Sequence, residues 1–428
     1  MVERSNYKRK KIRVLFVANK NKLKPIGGPV GYLYHLWHGL GALNNNLFEF
    51  TIDNPMERAI LDKNNLTNHN SRINSMLKGV IKKILPKGLL RIFYYYVIAF
   101  KLFLKSLKTK NIVNNFDIIH FHSSHDLFLY KKQINKNSTL ILLTTHSPKP
   151  PHLEIIDNYI IDYLSETERK IYYPLIVLLR RIYEKIDEIA FNLADYVIFP
   201  SRESEEAYMK LWNTYQNLNI KKKYIPTGVR KVVPKYSRSY IRKFYGIPST
   251  AFVVSYTGRH NTVKGYDLLK KIGEHILSSK SNVYFLITGK EEPLGGLEHS
   301  RWLELGWVDD PHSIVYASDL FVLPNRETYF DLSLLQALSL GQILLVSNRG
   351  GNKFFKFLEN KGIFYFNDIN EAIALIEYLI EISPKQKRKF NFILLKTYNK
   401  HFTEIHFAKR YLDMLMEISI GTMRENQT

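Results

Sequence analysis

Short runs of apolar residues alternate with longer amphipathic stretches along most of this chain. The first apolar run, residues 12–18, predicts a buried strand. A polar, glycine-rich loop over 19–31 and a helix over 32–43 are expected to follow it. Apolar strands separated by amphipathic helices are typical of a parallel sheet covered by helices, so the pattern predicts an α/β fold.

The alternation occurs twice, with a turn near residues 224–229 between the two series. The first series adds strands at 117–121, 139–144 and 196–199, and the second predicts strands at 252–256, 283–287, 320–323, 343–346 and 362–365. This layout predicts two doubly wound, Rossmann-like domains, residues 1–225 and residues 226–400. Such sheets bind ligands at the carboxyl ends of their strands, so the cleft between the domains is the expected substrate site.

Composition supports two folded domains and narrows the chemistry. The chain has 428 residues, more than one hydrophobic core usually organises. It has no cysteine, which excludes disulfides, cysteine-ligated metals and a thiolate nucleophile and agrees with a reducing cytoplasm. The first residues show no apolar segment before a cleavage site, so no secretory signal is expected. The 62 Lys+Arg against 39 Asp+Glu give a net charge of +23, which suggests an anionic partner: nucleic acid, a membrane surface or phosphorylated substrates.

Residues 82–110 combine basic side chains with many aromatic and aliphatic ones and contain no acidic residue. An interfacial helix that binds anionic lipid headgroups has this composition. The alternative is a pair of helices that covers the first sheet and keeps its lysines in water.

A loop in the second series has the features of a diphosphate site. In residues 256–269, YTGRHNTVKGYDLL, a strand ends at Gly258, Arg259 and Lys264 follow in one loop, and Gly265 opens a helix. A guanidinium and an ammonium beside a helix N-terminus give charged hydrogen bonds to phosphate. A basic surface loop is the alternative reading.

Further motifs occur in a fixed order along the chain: GGP (27–29), FDIIHFH (116–122), TTH (144–146), VSYTGR (254–259), LITGK (286–290), GWVD (306–309), YASDLFVLP (316–324), QALSLG (336–341) and RGG (349–351). In this order they resemble the family-4 glycosyltransferases, which have the GT-B fold of two Rossmann-like domains facing a central cleft. The resemblance covers about residues 12 to 415.

The resemblance implies an activity and a division of labour. The activity is a retaining transfer of a hexosyl or N-acetylhexosaminyl group from a nucleotide-sugar donor to an acceptor hydroxyl, with no cofactor and no metal. The N-terminal domain would bind the acceptor and the C-terminal domain the nucleotide sugar. Residues 401–428 would form a helix that crosses back to the N-terminal domain.

The resemblance also suggests roles for single residues. Arg259 and Lys264 match the pair that neutralises the diphosphate leaving group. Backbone N–H groups at Gly27 and Gly28 would approach the phosphate from the other domain, and Val308 lies in the segment whose backbone recognises the base.

His146 follows a strand and resembles the histidine near the transferred sugar, although a structural, loop-capping histidine would look the same. His120 and His122 alternate with Phe121, so both point to one side, and His122 is expected to face the cleft as an acceptor-side residue. No spacing of histidines and carboxylates predicts a metal site.

The chain departs from the family at its two motif glutamates. The second position, which normally binds ribose hydroxyls, is Gln336, which keeps hydrogen-bonding atoms but loses the charge. The first position falls on Thr328, and Glu327 and Asp331 flank it as candidates to take over a catalytic role. The other candidate donor-binding residues in these segments are Gly258, Tyr329 and Phe330.

The resulting hypothesis is a glycosyltransferase of polysaccharide biosynthesis. It would use a UDP-sugar or similar donor and a lipid-linked or cell-envelope glycan acceptor, on the inner face of the cell membrane as a peripheral cytoplasmic protein. The alternatives are a weakly active or inactive GT-B partner subunit and a GT-B sugar-nucleotide epimerase. Nucleic acid is not expected as a partner, because the basic residues are spread over the whole chain and no nucleic-acid-binding module is recognisable.

Overall fold

The computed structural model describes residues 11–18, 20–25, 27–53, 86–107, 115–134, 138–358 and 361–425. These residues form two parallel sheets of six strands each, joined and covered by helices. The strands are β1 (Ile12–Val17), β2 (Phe48–Asp53), β3 (Ile118–Phe121), β4 (Leu140–Leu143), β5 (Tyr196–Phe199), β6 (Lys221–Tyr224), β7 (Phe252–Thr257), β8 (Val283–Thr288), β9 (Trp302–Glu304), β10 (Leu320–Leu323), β11 (Leu344–Ser347) and β12 (Ile363–Phe366). The predicted α/β fold class is confirmed.

Helices cover both sheets. They are α1 (Gly28–Gly41), α2 (Lys87–Ser106), α3 (Ser124–Tyr130), α4 (Pro151–Tyr159), α5 (Glu166–Ile171), α6 (Tyr173–Leu193), α7 (Glu206–Leu211), α8 (Arg238–Phe244), α9 (Tyr266–Ser279), α10 (Pro311–Ala317), α11 (Leu332–Ser339), α12 (Ile369–Glu381), α13 (Pro384–His401) and α14 (Glu404–Glu425). Short 3₁₀ turns at Glu203–Glu205 and Gly350–Phe357 face each other between the domains.

Each sheet is doubly wound. The N-terminal sheet has the order β2-β1-β3-β4-β5-β6, and the C-terminal sheet has the order β12-β11-β10-β7-β8-β9. Side chains of β1 enter two different cores: Val14 and Phe16 pack on one face, and Leu15 and Val17 pack on the other. Burial on both faces explains why the inner strands read as continuous apolar runs in the sequence.

The apolar pattern located nine of the twelve strands, with ends shifted by at most one residue, and missed β2, β6 and β9. All three missed strands lie at sheet edges. Edge strands are half solvated, so β2 (FEFTID) mixes polar and apolar residues and β6 (KKKY) is mostly charged. An apolar run is therefore not required there.

The first helix begins earlier than expected. The sequence placed residues 19–31 in a loop, but α1 starts at Gly28, with Gly27 extended before it and Pro29 at the start of the helix. Proline is favoured in the first turn because its missing N–H has no partner there in any case. The glycines that looked like part of a loop therefore form the N-terminus of a helix.

Within residues 82–110 the structure describes one long helix, α2, whereas a pair of helices had been the alternative. Residues 82–85 and 108–110 lie outside the described residues. No helix in the described part of the chain combines the length and the apolarity needed to cross a bilayer.

Two chain segments run side by side between the domains. The backbone N–H of Val229 donates to the carbonyl of Phe402 (2.8 Å), and the hydroxyl of Tyr398 donates to the carbonyl of Val229 (2.9 Å). Beyond this crossing, α14 packs onto α1 and completes the N-terminal core with Phe407, Tyr411 and other apolar side chains. The last described helix thus belongs to the first sheet.

Two glycines of α1 provide a test of that packing. A β-carbon at Gly39 would lie 2.2 Å from the carbonyl oxygen of Glu404, whereas one at Gly41 would meet nothing within 4 Å. Gly39→Ala should lower the free energy of unfolding by about 1–3 kcal/mol through overpacking. Gly41→Ala should leave it unchanged or raise it slightly because alanine favours helix. Urea titration of both variants measures this, and equal stabilities would contradict the packing described.

Candidate active site

The loops that follow the carboxyl ends of the strands in the C-terminal sheet pack closely against one another through their backbones. A β-carbon at Gly289 would lie 1.8 Å from the carbonyl oxygen of Gly258, and one at Gly265 would lie 1.9 Å from that of Pro324. Gly265 has a φ of +65°, which glycine adopts without strain. These contacts fix the loop from Gly258 to Gly265, which carries both predicted phosphate ligands.

This loop faces the N-terminal domain. The hydroxyl of Thr262 donates to the carboxylate of Asp162 (2.8 Å), which precedes α5. The guanidinium carbon of Arg259 lies 6.0 Å from the ring centroid of Tyr159, at the end of α4. Arg259 is exposed and has no ion pair among the described residues. Its positive charge therefore lies uncompensated at the gap between the domains.

Lys264 is held differently. Its ammonium lies 2.7 Å from a carboxylate oxygen of Asp331, whose other oxygen accepts a hydrogen bond from Asn325. Asp331 precedes α11, on the loop that follows β10. The carboxylate is thus committed to a lysine and an amide, and it fixes the position of the lysine next to Arg259.

Glu327 is half-buried, and the charges of three basic residues and of the acidic Glu206 act on it. Burial raises the pKa of its carboxyl group, and the nearby charges of Lys149, Lys210 and Arg349 oppose that rise. Lys149 and Lys210 belong to the N-terminal domain, so Glu327 lies at the domain boundary. Of the two candidates beside position 328, Asp331 is paired with Lys264, whereas Glu327 has no ion pair among the described residues.

Residues 328–330 are engaged within the protein. Thr328 is buried, and its hydroxyl donates to the carbonyl of Arg349 (3.2 Å) and accepts from the N–H of Asn352 (3.1 Å). Tyr329 donates from its hydroxyl to the carbonyl of Ile198 in β5 (3.0 Å), which joins the two domains. Phe330 packs in the C-terminal core. Among these three, direct side-chain contact with a donor stays a prediction.

Gln336 and Val308 lie in neighbouring segments. Burial lowers the pKa of His312 in α10, and the nearby side chain of Gln336 opposes that shift. Val308 precedes the same helix and packs partly against an apolar cluster. Gly306 beside it has a φ of +62° and open space where a β-carbon would be. The amide of Gln336, the imidazole of His312 and the open backbone at Gly306 therefore lie in the segments where the resemblance expects the base and the ribose of the donor.

Gly27 and Gly28 face open space from the N-terminal domain. A β-carbon at either position would meet no atom within 4 Å, and Gly28 has a φ of +76°. The first N–H groups of α1 have no helical partners, as at any helix N-terminus. The backbone here is accessible to a ligand.

His122 is buried and His146 is half-buried, and their two rings form a hydrogen-bonded pair. The Nδ1 atom of His122 lies 3.0 Å from Nε2 of His146, and Tyr32 packs edge-on against His146 with ring centroids 4.5 Å apart. His120 and His122 lie on the same side of the sheet with their ring centroids 4.2 Å apart, whereas Phe121 packs in the core on the other face. The alternation predicted from sequence is confirmed.

The environment of the pair determines its protonation. Burial lowers the pKa of His146 to about 3 and that of His122 well below its ordinary value, so both are neutral near pH 7. The hydrogen bond between Nδ1 of His122 and Nε2 of His146 contains one proton, which belongs to one of the two rings. If His146 were the donor, the neutral His122 would carry its proton on Nε2, and that atom is buried without a partner. Unpaired buried N–H groups are rare, so His122 donates and His146 keeps its proton on Nδ1.

This assignment can be tested by ¹⁵N-histidine NMR. We expect His146 to show the Nδ1–H form at pH 7 and to stay neutral down to pH 5, where an unperturbed histidine with a pKa of about 6.5 is mostly protonated. His122→Phe, which removes the partner, provides the assignment control. A His146 resonance in the Nε2–H form, or one that titrates near pH 6.5, would contradict the geometry.

Sequence reasoning missed some residues at this boundary. Lys149, buried and paired with Asp157, is among the charges that act on Glu327, and Tyr159 faces Arg259. Lys149 lies three residues after His146 on the same strand-end loop, and this position was the signal available in the sequence. No group of three or more metal-ligating side chains occurs among the described residues. The expected independence from metal stays a prediction.

Comparisons with known proteins agree with this geometry. A profile described as Glycosyltransferase Family 4 matches residues 26–230, and one described as Glycosyl transferases group 1 matches residues 251–382. The two matches fall on the two successive sheets. The chain belongs to the family-4, group 1 glycosyltransferases.

Two curated relatives show partial similarity. The UDP-Gal:alpha-D-GlcNAc-diphosphoundecaprenol alpha-1,3-galactosyltransferase of Escherichia coli is 26% identical over 213 residues, which cover 45% of this chain and 54% of that protein. A glycogen synthase of Clostridium botulinum is 27% identical over 191 residues, covering 40% and 38%. The chain thus matches about half or less of the length of these relatives.

Solved structures resemble the chain over nearly its full length. Sucrose-phosphate synthase from Thermosynechococcus elongatus superposes with a TM-score of 0.61 at 16% identity, covering 96% of this chain and 100% of that one. Anabaena HepE in complex with UDP and glucose gives 0.56 at 15% identity, covering 95% and 100%. At this identity the likeness concerns the fold, and the GT-B fold is confirmed.

Proposed function

We propose that this protein is an active, retaining glycosyltransferase that moves a sugar from a nucleotide-sugar donor to a hydroxyl of a glycan acceptor. The observation that supports this most is the pair of cations at the carboxyl end of β7. Arg259 is unpaired at the gap between the domains, and Lys264 is held in place by Asp331. A diphosphate needs such a site when it leaves a sugar.

The chemistry follows from where charge develops. The bond between the anomeric carbon and the phosphate oxygen breaks, and its electron pair stays on the diphosphate. The acceptor oxygen bonds to the same face of the carbon, and its proton passes to the departing phosphate. Arg259 and Lys264 stabilise the charge that grows on the phosphate, and fixed cations do this without reorganising during the reaction.

The sugar would lie between the domains, near Glu327 and His146. A neutral His146 that keeps its proton on Nδ1 is able to donate a hydrogen bond to a sugar oxygen. Glu327, with an accepting carboxylate at the domain boundary, is suited to bind sugar hydroxyls. Glu327 rather than Thr328 would then perform the task of the first family glutamate.

A UDP-sugar is the donor that we favour, and a lipid-linked or cell-envelope glycan is the acceptor. The E. coli relative is named for a UDP-Gal donor and a diphosphoundecaprenol-linked acceptor, and the HepE structure contains UDP and glucose. Both are distant or partial matches, so the donor and acceptor belong to the proposal.

Substitution of the two cations tests the proposal. Arg259→Ala and Lys264→Ala should each lower kcat/KM for transfer from UDP-sugars by about 10²–10³-fold, because each removes a charged donor to the leaving group. Lys271→Ala, an exposed lysine on α9, is the matched control and should retain wild-type activity. Radiolabelled sugar transfer gives the rates, and thermal unfolding checks that the variants are folded.

A catalytically weak or inactive partner subunit is the second candidate, because Gln336 and the internally bonded Thr328 replace the two motif glutamates. The assay of radiolabelled sugar transfer distinguishes an active transferase from such a partner subunit. Wild-type protein that binds UDP-sugars through Arg259 and Lys264 but transfers nothing to any glycan acceptor would favour the partner subunit. Wild-type activity in the Arg259→Ala, Lys264→Ala double variant would place the diphosphate elsewhere.

We also propose that α2 attaches the protein to an anionic membrane surface. One side of α2 packs with Ile92 and Ala99 against α3 and α6. The other side exposes a row of large apolar residues: Phe93, Tyr94, Val97, Phe100, Phe103 and Leu104. Exposed Lys87 and Lys101 lie on the same helix, which has no acidic residue. An apolar face with flanking cations matches the boundary of an anionic lipid layer. Attachment through α2 would hold the cleft between the domains near a lipid-linked acceptor.

Replacing three phenylalanines tests this attachment. The triple variant Phe93→Ser, Phe100→Ser, Phe103→Ser should lose at least about tenfold in binding to phosphatidylglycerol vesicles, because each ring buries apolar area in the lipid. The control carries Phe244→Ser, Phe357→Ser and Phe392→Ser, three exposed phenylalanines elsewhere, and should bind as wild type. Co-sedimentation measures both. Equal binding by the two variants, or equal binding to phosphatidylcholine, would contradict the proposal.

A further inference from the structure

A cavity of about 390 Å³ opens at the edge of the C-terminal sheet opposite to the candidate active site. It lies at the amino ends of the neighbouring strands β10, β7 and β8, whereas Arg259 follows the carboxyl end of β7. A six-residue strand such as β7 is about 20 Å long, so the cavity is separate from the cleft. Its volume is within the range of small-molecule sites.

The lining is strongly cationic. Four basic side chains contribute to it, Arg238, Arg242, Lys280 and Lys387, against one acidic side chain, Asp319. The two carboxylate oxygens of Asp319 are already used: one accepts from Arg238 (2.6 Å) and the other from Arg242 (2.7 Å). No lining carboxylate is therefore left for the two lysines.

Arg242 has a structural role. It is buried and donates to the backbone carbonyls of Ala317, Ser249 and Ala251 in addition to Asp319. The backbone carbonyls at the end of α9, which borders the cavity, do not need the lysines as hydrogen-bond donors. Arg301 donates to the carbonyls of Leu277 and Lys280 there. These bonds hold the walls in place and leave Lys280 and Lys387 available.

Lys387 is the clearest indication of a ligand. It is half-buried and makes no ion pair in the described part of the chain, and its ammonium lies 4.8 Å from the ring centroid of Phe252. Burial lowers its pKa, and the charges of Arg238 and Arg242 lower it further, against the attraction of Asp319 and Glu381. Lys280 has only a distant carboxylate, Glu377 at 3.9 Å. Two lysine cations thus face the same space with little compensation.

The remaining lining residues are uncharged. Ser249, Thr250, Ser279, Ser281 and Asn282 are polar, and Ala251, Phe252, Val283 and Ile380 add an apolar part to the wall. Cations that give charged hydrogen bonds to a phosphate, next to hydroxyl and amide groups that bind neutral polar atoms, define the class of ligand. We propose that this cavity is a second anion site, which binds a phosphomonoester of about the size of a sugar phosphate through Lys387 and Lys280.

The site is independent of the proposed transfer reaction, and the test keeps the two apart. The Arg259→Ala, Lys264→Ala double variant, which lacks the cleft cations, serves as the background. Inorganic phosphate and glycerol 2-phosphate are titrated into it by calorimetry and by thermal unfolding, with chloride at matched ionic strength. Lys387→Met is then added to this background, and Lys385→Met, an exposed lysine on the same helix, is the matched control.

We expect both phosphates to bind the background protein and to raise its unfolding temperature, because a ligand of the folded state stabilises it by mass action. Lys387→Met should weaken this binding about tenfold or more, and Lys280→Met should weaken it as well. Lys385→Met should leave it unchanged. No binding in the background, equal binding by Lys387→Met and Lys385→Met, or the same stabilisation by chloride would each overturn the proposal.

Discussion

Two segments of the chain cross between the domains, and the hydrogen bonds between these segments hold the domains together. The segment that leaves the N-terminal domain and the one that returns to it are hydrogen-bonded to each other at Val229 and Phe402. After the return, α14 lies so close to α1 that Gly39 has no room for a side chain. Because both connections pass one point, the two domains are joined there side by side.

The cations at the domain boundary differ in a way that suits a leaving group. Lys264 has a fixed carboxylate partner and little freedom, whereas Arg259 is exposed and faces the other domain. A diphosphate would thus meet one cation that is already oriented and one that can adjust its position. Asp331, which the sequence made a candidate for a catalytic role, instead orients the lysine. The carboxylate at the boundary is Glu327, one residue from the family position.

The sequence was sufficient for the inner strands and for the order of the two domains, because burial on both faces requires apolar runs. It was insufficient at three of the four sheet edges, where β2, β6 and β9 are short or polar. In the candidate site, the loop from Gly258 to Lys264 could be located from its glycines and cations. The partners of this loop, Asp162 and Tyr159, could not, because they come from the N-terminal domain and only the folded chain brings them near.

The position of α14 has a consequence for the order in which the protein can assemble. Phe407 and Tyr411 complete a core whose other members, such as Phe16 and Leu36, lie close to the beginning of the chain. On the ribosome, the first sheet would emerge early and wait with an uncovered apolar surface until the second domain and α14 had been synthesised. The N-terminal half has a sheet of its own, but its core is complete only once α14 has packed onto it.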